Sequence, residues 1–261
     1  MGRYRRVYRA FFSSSLAREL EFRANFFAKV GENLVWTGFF VLIVLVIYRN
    51  TDSVAGWSRG DAFVLIASCF LLESLHSAFC FSLLEIPEQV RKGTLDFVLV
   101  KPVDPQFWVS LRRFNFSQGG TMLAGVGLLI AGMVMTGQHP SPAQWIAYVS
   151  LLLSGLILFY SFNLALMTLG IWLVRVDNLW VLSESVLQVS RFPLDIFGVS
   201  LRRLLTYALP LAFIATIPTR QLIQGLDVPM LTLGLVWSLG ALAAARAFWK
   251  FALTRYQSAS S

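Results

Sequence analysis

The sequence predicts an all-α polytopic membrane protein. Two totals and one pattern lead there. Of 261 residues, 56% are hydrophobic and 14% are charged, against about 25% charged in a soluble domain. The mean hydropathy is +0.65. Several nearly uncharged runs reach the roughly 20 residues that cross about 30 Å of hydrocarbon. None alternates as a membrane β-strand does, so helices are the remaining way to satisfy the backbone in lipid.

The first element expected is an amphipathic interfacial helix over 1–28. Tyr4, Val7, Tyr8, Phe11 and Phe12 fall at helical spacing, with Arg5, Arg6 and Arg9 away from them. Glu19 and Arg23 form a favourable i,i+4 pair. No cleavable signal peptide is expected, because the first apolar run begins near Asn33, behind this arginine-rich lead. Spans follow at 33–48, 62–84, 107–136, 145–174 and 229–249. The third has its apolar centre at 121–136 and begins near Phe107.

Lys and Arg are unevenly shared among the connections. They are dense before the first span and in 85–117 (Arg91, Lys92, Lys101, Arg112, Arg113), and absent from 137–144. Arg175 marks the next turn, and Arg246, Lys250 and Arg255 mark the C-terminal end. The positive-inside rule then places both termini, 85–117 and the Arg175 turn in the cytoplasm. Parity demands one net crossing from Asn178 to Gly225, which makes six spans. Two apolar pieces compete for it. One path crosses at 179–197 and adds a re-entrant element at 198–222 in the outer half. The other crosses at 201–217 and leaves 179–200 inside, with Arg202 and Arg203.

Small residues recur in the third span (Gly125, Gly127, Gly132) and the last (Gly234, Ser238, Gly240, Ala244), and predict close helix packing. Cys69 and Cys80 lie 11 positions apart in one apolar run, about 16 Å along a helix, too far for a disulfide.

No phosphate-binding loop, HExxH or Cys/His cluster occurs. The chain is therefore expected to hold no nucleotide, metal or catalytic residue of its own. No nucleic-acid reader motif accompanies the net charge of +8. His76 and Ser77 are adjacent and point about 100° apart on a helix, which argues against a hydrolytic pair. Glu73 and His76 share one helical face, and Glu184 lies in the polar fifth segment. Carboxylates in lipid face a bundle interior or wet cavity, so these three are candidates for a substrate path or a structural lock. They also permit a proton- or ion-coupled secondary transporter, although no inverted repeat is visible.

The stretch 85–105 carries charges, three prolines and a glycine between oily runs. Pro87 suits the first turn of a short helix that Gly93 ends, and Pro102 and Pro105 make a rigid turn. Such a preorganised loop suits a polar protein contact through Glu88, Arg91, Lys92 and Asp96.

At these residues the chain resembles membrane subunits of ABC-2-type transporters, in the bacterial branch with an R-x-G-T-L-D-F-x-L-x-K-P signature. Here the signature is Arg91, Gly93, Thr94, Leu95, Asp96, Phe97, Leu99, Lys101 and Pro102. A looser likeness lies in RFPLDIFG (191–198) and ALPLAFIATIP (208–218). The resemblance implies a half-transporter in the bacterial inner membrane, and an exporter. It implies a coupling helix in 85–105, with Glu85, Glu88, Arg91, Lys92, Gly93 and Asp96 forming the contact. The docked partner would be an ATP-binding subunit in two copies, which holds ATP and Mg. A second permease subunit, identical or homologous, completes the assembly. The resemblance also favours the crossing at 179–197 with the re-entrant element behind it.

Overall fold

The computed structural model describes residues 2–173 and 179–257. The Arg175 turn, Asn178 and tail residues 258–261 lie outside the described residues. Five described helices are long and apolar enough to cross a membrane.

Helix α1, Gly2–Glu21, is separated from α2, Arg23–Ile47, by a break at Phe22. Arg23–Phe27, expected within the interfacial helix, belong to the first long helix, which starts earlier than Asn33. A two-residue hairpin, β1 (Ser53–Val54) with β2 (Trp57–Ser58), turns through Ala55 and Gly56, both at positive φ. Ser58 and Asp61 then form a capping box that starts α3, Arg59–Cys80.

Helix α3 is the axis of the molecule. In its most apolar window 72% of residues are buried, against 17% for α2. After a 3₁₀ turn come three short helices: α4 (Ile86–Arg91), α5 (Asp96–Leu99) and α6 (Pro105–Leu111). Then α7 (Gln118–Thr136) returns along α3. The close pairing depends on Gly132, where a Cβ would lie 2.8 Å from the Val64 backbone nitrogen.

The expected third span at 107–136 is thus two elements. The helix stops at Leu111 because the next residues have other partners. Arg112 and Arg113 turn to the Glu85 carboxylate, and Asn115 N donates to Ala78 O at 3.0 Å.

Helix α8 (Pro142–Thr168) packs along α12 (Val228–Arg255). The segment between them is the least regular. Helix α9, Leu179–Ser190, has 12 residues, or about 18 Å, short of a roughly 30 Å crossing. The expected helical span 179–197 therefore stops at Ser190. Pro193 has no N–H to donate, its ring would meet the carbonyl four residues back, and it pushes Phe192 out of the α region.

The chain nevertheless continues beside α3, in the opposite direction. Leu179 packs against the cluster that holds Leu83 and Ile86, and Leu187 shares a cluster with Leu71 and Leu72. The Cys69 thiol donates to Ser190 O at 3.0 Å, and Trp57 Nε1 donates to Asp195 Oδ2 at 2.9 Å. Residues 179–195 thus run from the Glu85 end of the molecule to the Trp57 end.

A hairpin follows. Helix α10 (Val199–Arg203) and one π-helical turn descend to 208–211, which line an apolar cavity of about 580 Å³ with Phe162, Ala165 and Ala241. The chain climbs back through Ile214, beside Leu72, to α11, Thr216–Ile223. There Gln144 Nε2 donates to Gln221 O at 2.9 Å, back at the Trp57 end. Both described cysteines are free and buried.

Candidate functional site

The short helices at the Glu85 end form a platform with an inner and an outer face. Pro87 occupies the first turn of α4, and Gly93, at φ +68°, ends it in the left-handed region. Ile86, Leu95 and Val98 point inward and pack with Leu83, Val109, Leu164 and Trp249. Burying them locks the platform to α8 and α12.

Polar contacts extend the lock. Arg246 of α12 donates to Asp104 Oδ2 at 2.7 Å and to Gln106 Oε1 at 2.8 Å. Gln106 Nε2 in turn donates to the Tyr160 hydroxyl of α8 at 2.9 Å. Asp104 also caps α6 by accepting from Gln106 N at 2.8 Å. Desolvation opposes ionisation of Asp104, but Arg246 and the α6 amides hold its carboxyl below the usual range.

Helix α1 closes the platform from the side. Tyr4 meets Phe107 edge-on at 5.0 Å, Phe11 meets Trp108 at 4.8 Å, and Ser15 Oγ accepts from Phe114 N at 3.0 Å. Its aromatic face therefore covers protein.

The outer face carries exposed Arg91 and the Glu88–Lys92 pair at 2.6 Å. The Lys92 hydrogen bond, with its charge, lowers the Glu88 pKa. Beside them stand Phe97, 69% exposed, and Val100, 80% exposed. Asp96 lies near Tyr256 at the end of α12. Burial, and then that carboxylate, push the Tyr256 phenol up to about 12. Glu85 departs from expectation: its carboxylate is turned inward to Arg112 and Arg113. There it braces the platform from within, with its side chain 17% exposed.

The intramembrane candidates do not form one pair. Glu73 accepts from Arg191 Nη2 at 2.7 Å, and the Arg191 side chain is only 2% exposed. Its guanidinium lies 4.2 Å from the Phe40 ring centroid. The expected Glu73–His76 partnership is thus replaced, because a guanidinium offers a carboxylate a full opposite charge. His76 is edge-on to Phe159 at 4.5 Å, and its Nε2 has no hydrogen-bond partner among the described residues. His76 and Glu184 line one cavity of about 20 Å³ with Asn163 and Ser183, room for about one water. Ser183 Oγ donates to Asn163 Oδ1 at 2.6 Å. Coupled-ion transport through Glu73, His76 and Glu184 is not favoured. Among the described residues no group of three or more His, Cys, Asp or Glu could hold a metal ion.

Sequence reasoning missed several participants. Arg191 was visible only as part of RFPLDIFG. The Arg246–Asp104 contact joins residues 142 positions apart, which no local pattern reveals. Phe97 and Val100 carried a signal, being apolar residues inside a turn-rich polar loop.

No curated protein matches the chain significantly. Residues 34–260 match the family described as ABC-2 family transporter protein. Members of that family are membrane transport components, generally not themselves catalytic. By this match over most of its length the chain belongs to the ABC-2 transporter family, whose multi-pass permeases associate with an ABC ATP-binding subunit.

Proposed function

We propose that the chain is the permease half of an ATP-driven exporter in the bacterial inner membrane, of the branch with the R-x-G-T-L-D-F-x-L-x-K-P signature. Two permease subunits, identical or homologous, join two ATP-binding subunits that carry ATP and Mg. Both termini and the platform face the cytoplasm. Residues 179–197 make the fifth of six crossings, and 198–222 form a re-entrant element in the outer half.

The observation that carries this reading is the two-faced platform. Its inner face is bonded to α8 and α12, and its outer face leaves Arg91, Lys92, Phe97 and Val100 to a partner. A push on the outer face is passed to two spans without first compressing a soft loop. ATP closes the ATPase pair, the platform moves, and the spans exchange inward- and outward-open states. Such coupling requires that the partner bind the two states unequally. Glu88, Arg91 and Lys92 form the polar contact, and Gly93 and Asp96 shape it.

The test is reconstitution with the ATP-binding subunit. Arg91→Glu with Lys92→Glu abolishes permease-dependent stimulation of ATP hydrolysis while insertion and melting temperature stay unchanged. Phe97→Ala with Val100→Ala weakens the complex by about tenfold or more. Wild-type stimulation by the charge-reversed protein removes the assignment.

A further inference from the structure

At the Trp57 end, the two limbs of the 199–223 hairpin and the start of α12 enclose a cavity of about 730 Å³. That volume lies within the roughly 300–1,000 Å³ of small-molecule sites. Three arginines line it: Arg202, Arg203 and Arg220. Asp195 accepts from both Arg202, at 3.0 Å, and Arg220, at 2.5 Å. One carboxylate thus serves two guanidiniums. Among the described residues Arg203 has no ion-pair partner, and it is exposed. Asp227 also lines the cavity, but its carboxylate accepts from Met230 N at 3.0 Å and caps α12. Three guanidiniums therefore face two carboxylates, both already engaged. Asp195 holds Arg202 and Arg220 in place without saturating their donors.

The surroundings set the second half of the chemistry. Leu204, Tyr207, Leu226 and Val228 are exposed beside the arginines. In a membrane protein, exposed apolar residues beside a basic cavity mark the boundary between hydrocarbon and water. A soluble anion would use the arginines and leave the apolar rim idle. A neutral lipid would do the reverse.

We infer that this cavity is a binding site for an amphiphile whose phosphate headgroup carries a net negative charge. The guanidiniums of Arg202, Arg203 and Arg220 take the phosphate oxygens, and the acyl chain lies along Tyr207, Leu226 and Val228. Guanidinium suits this task because its planar donors match phosphate oxygens in pairs. The site involves neither the platform nor the ATP-binding partner, so it stands or falls separately from the exporter reading.

The experiment uses the full chain, purified and held in phosphatidylcholine nanodiscs. Binding of short-chain phosphatidylglycerol is measured by native mass spectrometry and by shift of the melting temperature. Short-chain phosphatidylcholine and inorganic phosphate serve as the other arms. Phosphatidylglycerol binds tightest. Arg203→Gln, which breaks no ion pair, weakens it by about tenfold, and Arg202→Gln with Arg203→Gln weakens it further. Phosphatidylglycerol binding no tighter than phosphatidylcholine overturns the site. So does an Arg203→Gln protein that binds like wild type. Inorganic phosphate binding as tightly as the lipid overturns the role of the apolar rim.

Discussion

The two proline-rich segments, 85–105 and 191–222, are built for opposite surroundings. The first turns Ile86, Leu95 and Val98 inward and leaves Arg91 and Lys92 outside. The second takes Arg191 to the interior and leaves Leu201, Leu204 and Leu209 outside. Both break regular helix, and both must satisfy the backbone groups that the breaks release. The first does so with its charged residues Arg91 and Lys92 exposed. The second does so packed among helices, where irregular backbone is tolerated only under cover of protein. Proline content marks both breaks. What separates them is the buried guanidinium of Arg191, since no Lys or Arg of the first segment is buried.

The sharpest way to break this contrast is at Arg191. Its guanidinium is buried against Glu73 and the Phe40 ring. Arg191→Leu strands the Glu73 carboxylate, and removing one partner of a buried pair costs about 3–5 kcal/mol. Little folded protein is expected on a sizing column. Adding Glu73→Gln removes the stranded charge and recovers part of the loss. A single variant that melts with wild type would mean Glu73 is already solvated, and the two segments would not differ as argued.

How much of this was legible in the sequence follows the range of each cause. Spans depend on local hydropathy, so α2, α3, α7, α8 and α12 were expected as membrane helices. The short helix after Pro87 and its end at Gly93 depend on neighbours in the chain, and both were readable. The break after Leu111 was not. It is set by Glu85 attracting Arg112 and Arg113 and by Ser15 of α1 meeting Phe114, contacts across long sequence separations. The pairing of Glu85 with Arg112 and Arg113 is hidden from the sequence for the same reason. A carboxylate beside a basic loop looks free until the fold shows two arginines on it. The Glu73–Arg191 pair spans 118 positions, and the helical spacing that joins Glu73 to His76 pointed to the wrong partner.

A smaller effect is expected at the platform's anchor to α12. Asp104 and Arg246 are both partly exposed, so their pair contributes no more than about 1 kcal/mol. Asp104→Asn lowers the melting temperature slightly while preserving most of the α6 cap. The pH dependence has a definite sign. A carboxyl depressed in the folded state stabilises above its unfolded value, near 3.9, and loses that contribution as pH falls through the folded value. Wild type and Asp104→Asn therefore differ by a constant amount from pH 7 to about 5. They converge only in stronger acid. Convergence already at pH 5 would mean the anchor is not the charged pair.

The smallest effect is expected where a pair looks most favourable on paper. Glu88 and Lys92 have the preferred i,i+4 order, acid before base. Both are exposed, and α4 is already fixed by buried Ile86 and Pro87. Glu88→Gln should leave the melting temperature unchanged at neutral pH. The difference between wild type and variant should also stay the same from pH 7 to 5, because the depressed Glu88 carboxyl of the wild type stays ionised until the pH falls through its folded value. The variant frees Lys92, so under the proposed docking its effect belongs in the affinity for the ATP-binding subunit. A clear drop in melting temperature would mean that the outer charges hold the platform together. The segment 85–105 would then be braced from both faces, and its surface would no longer be free for a partner.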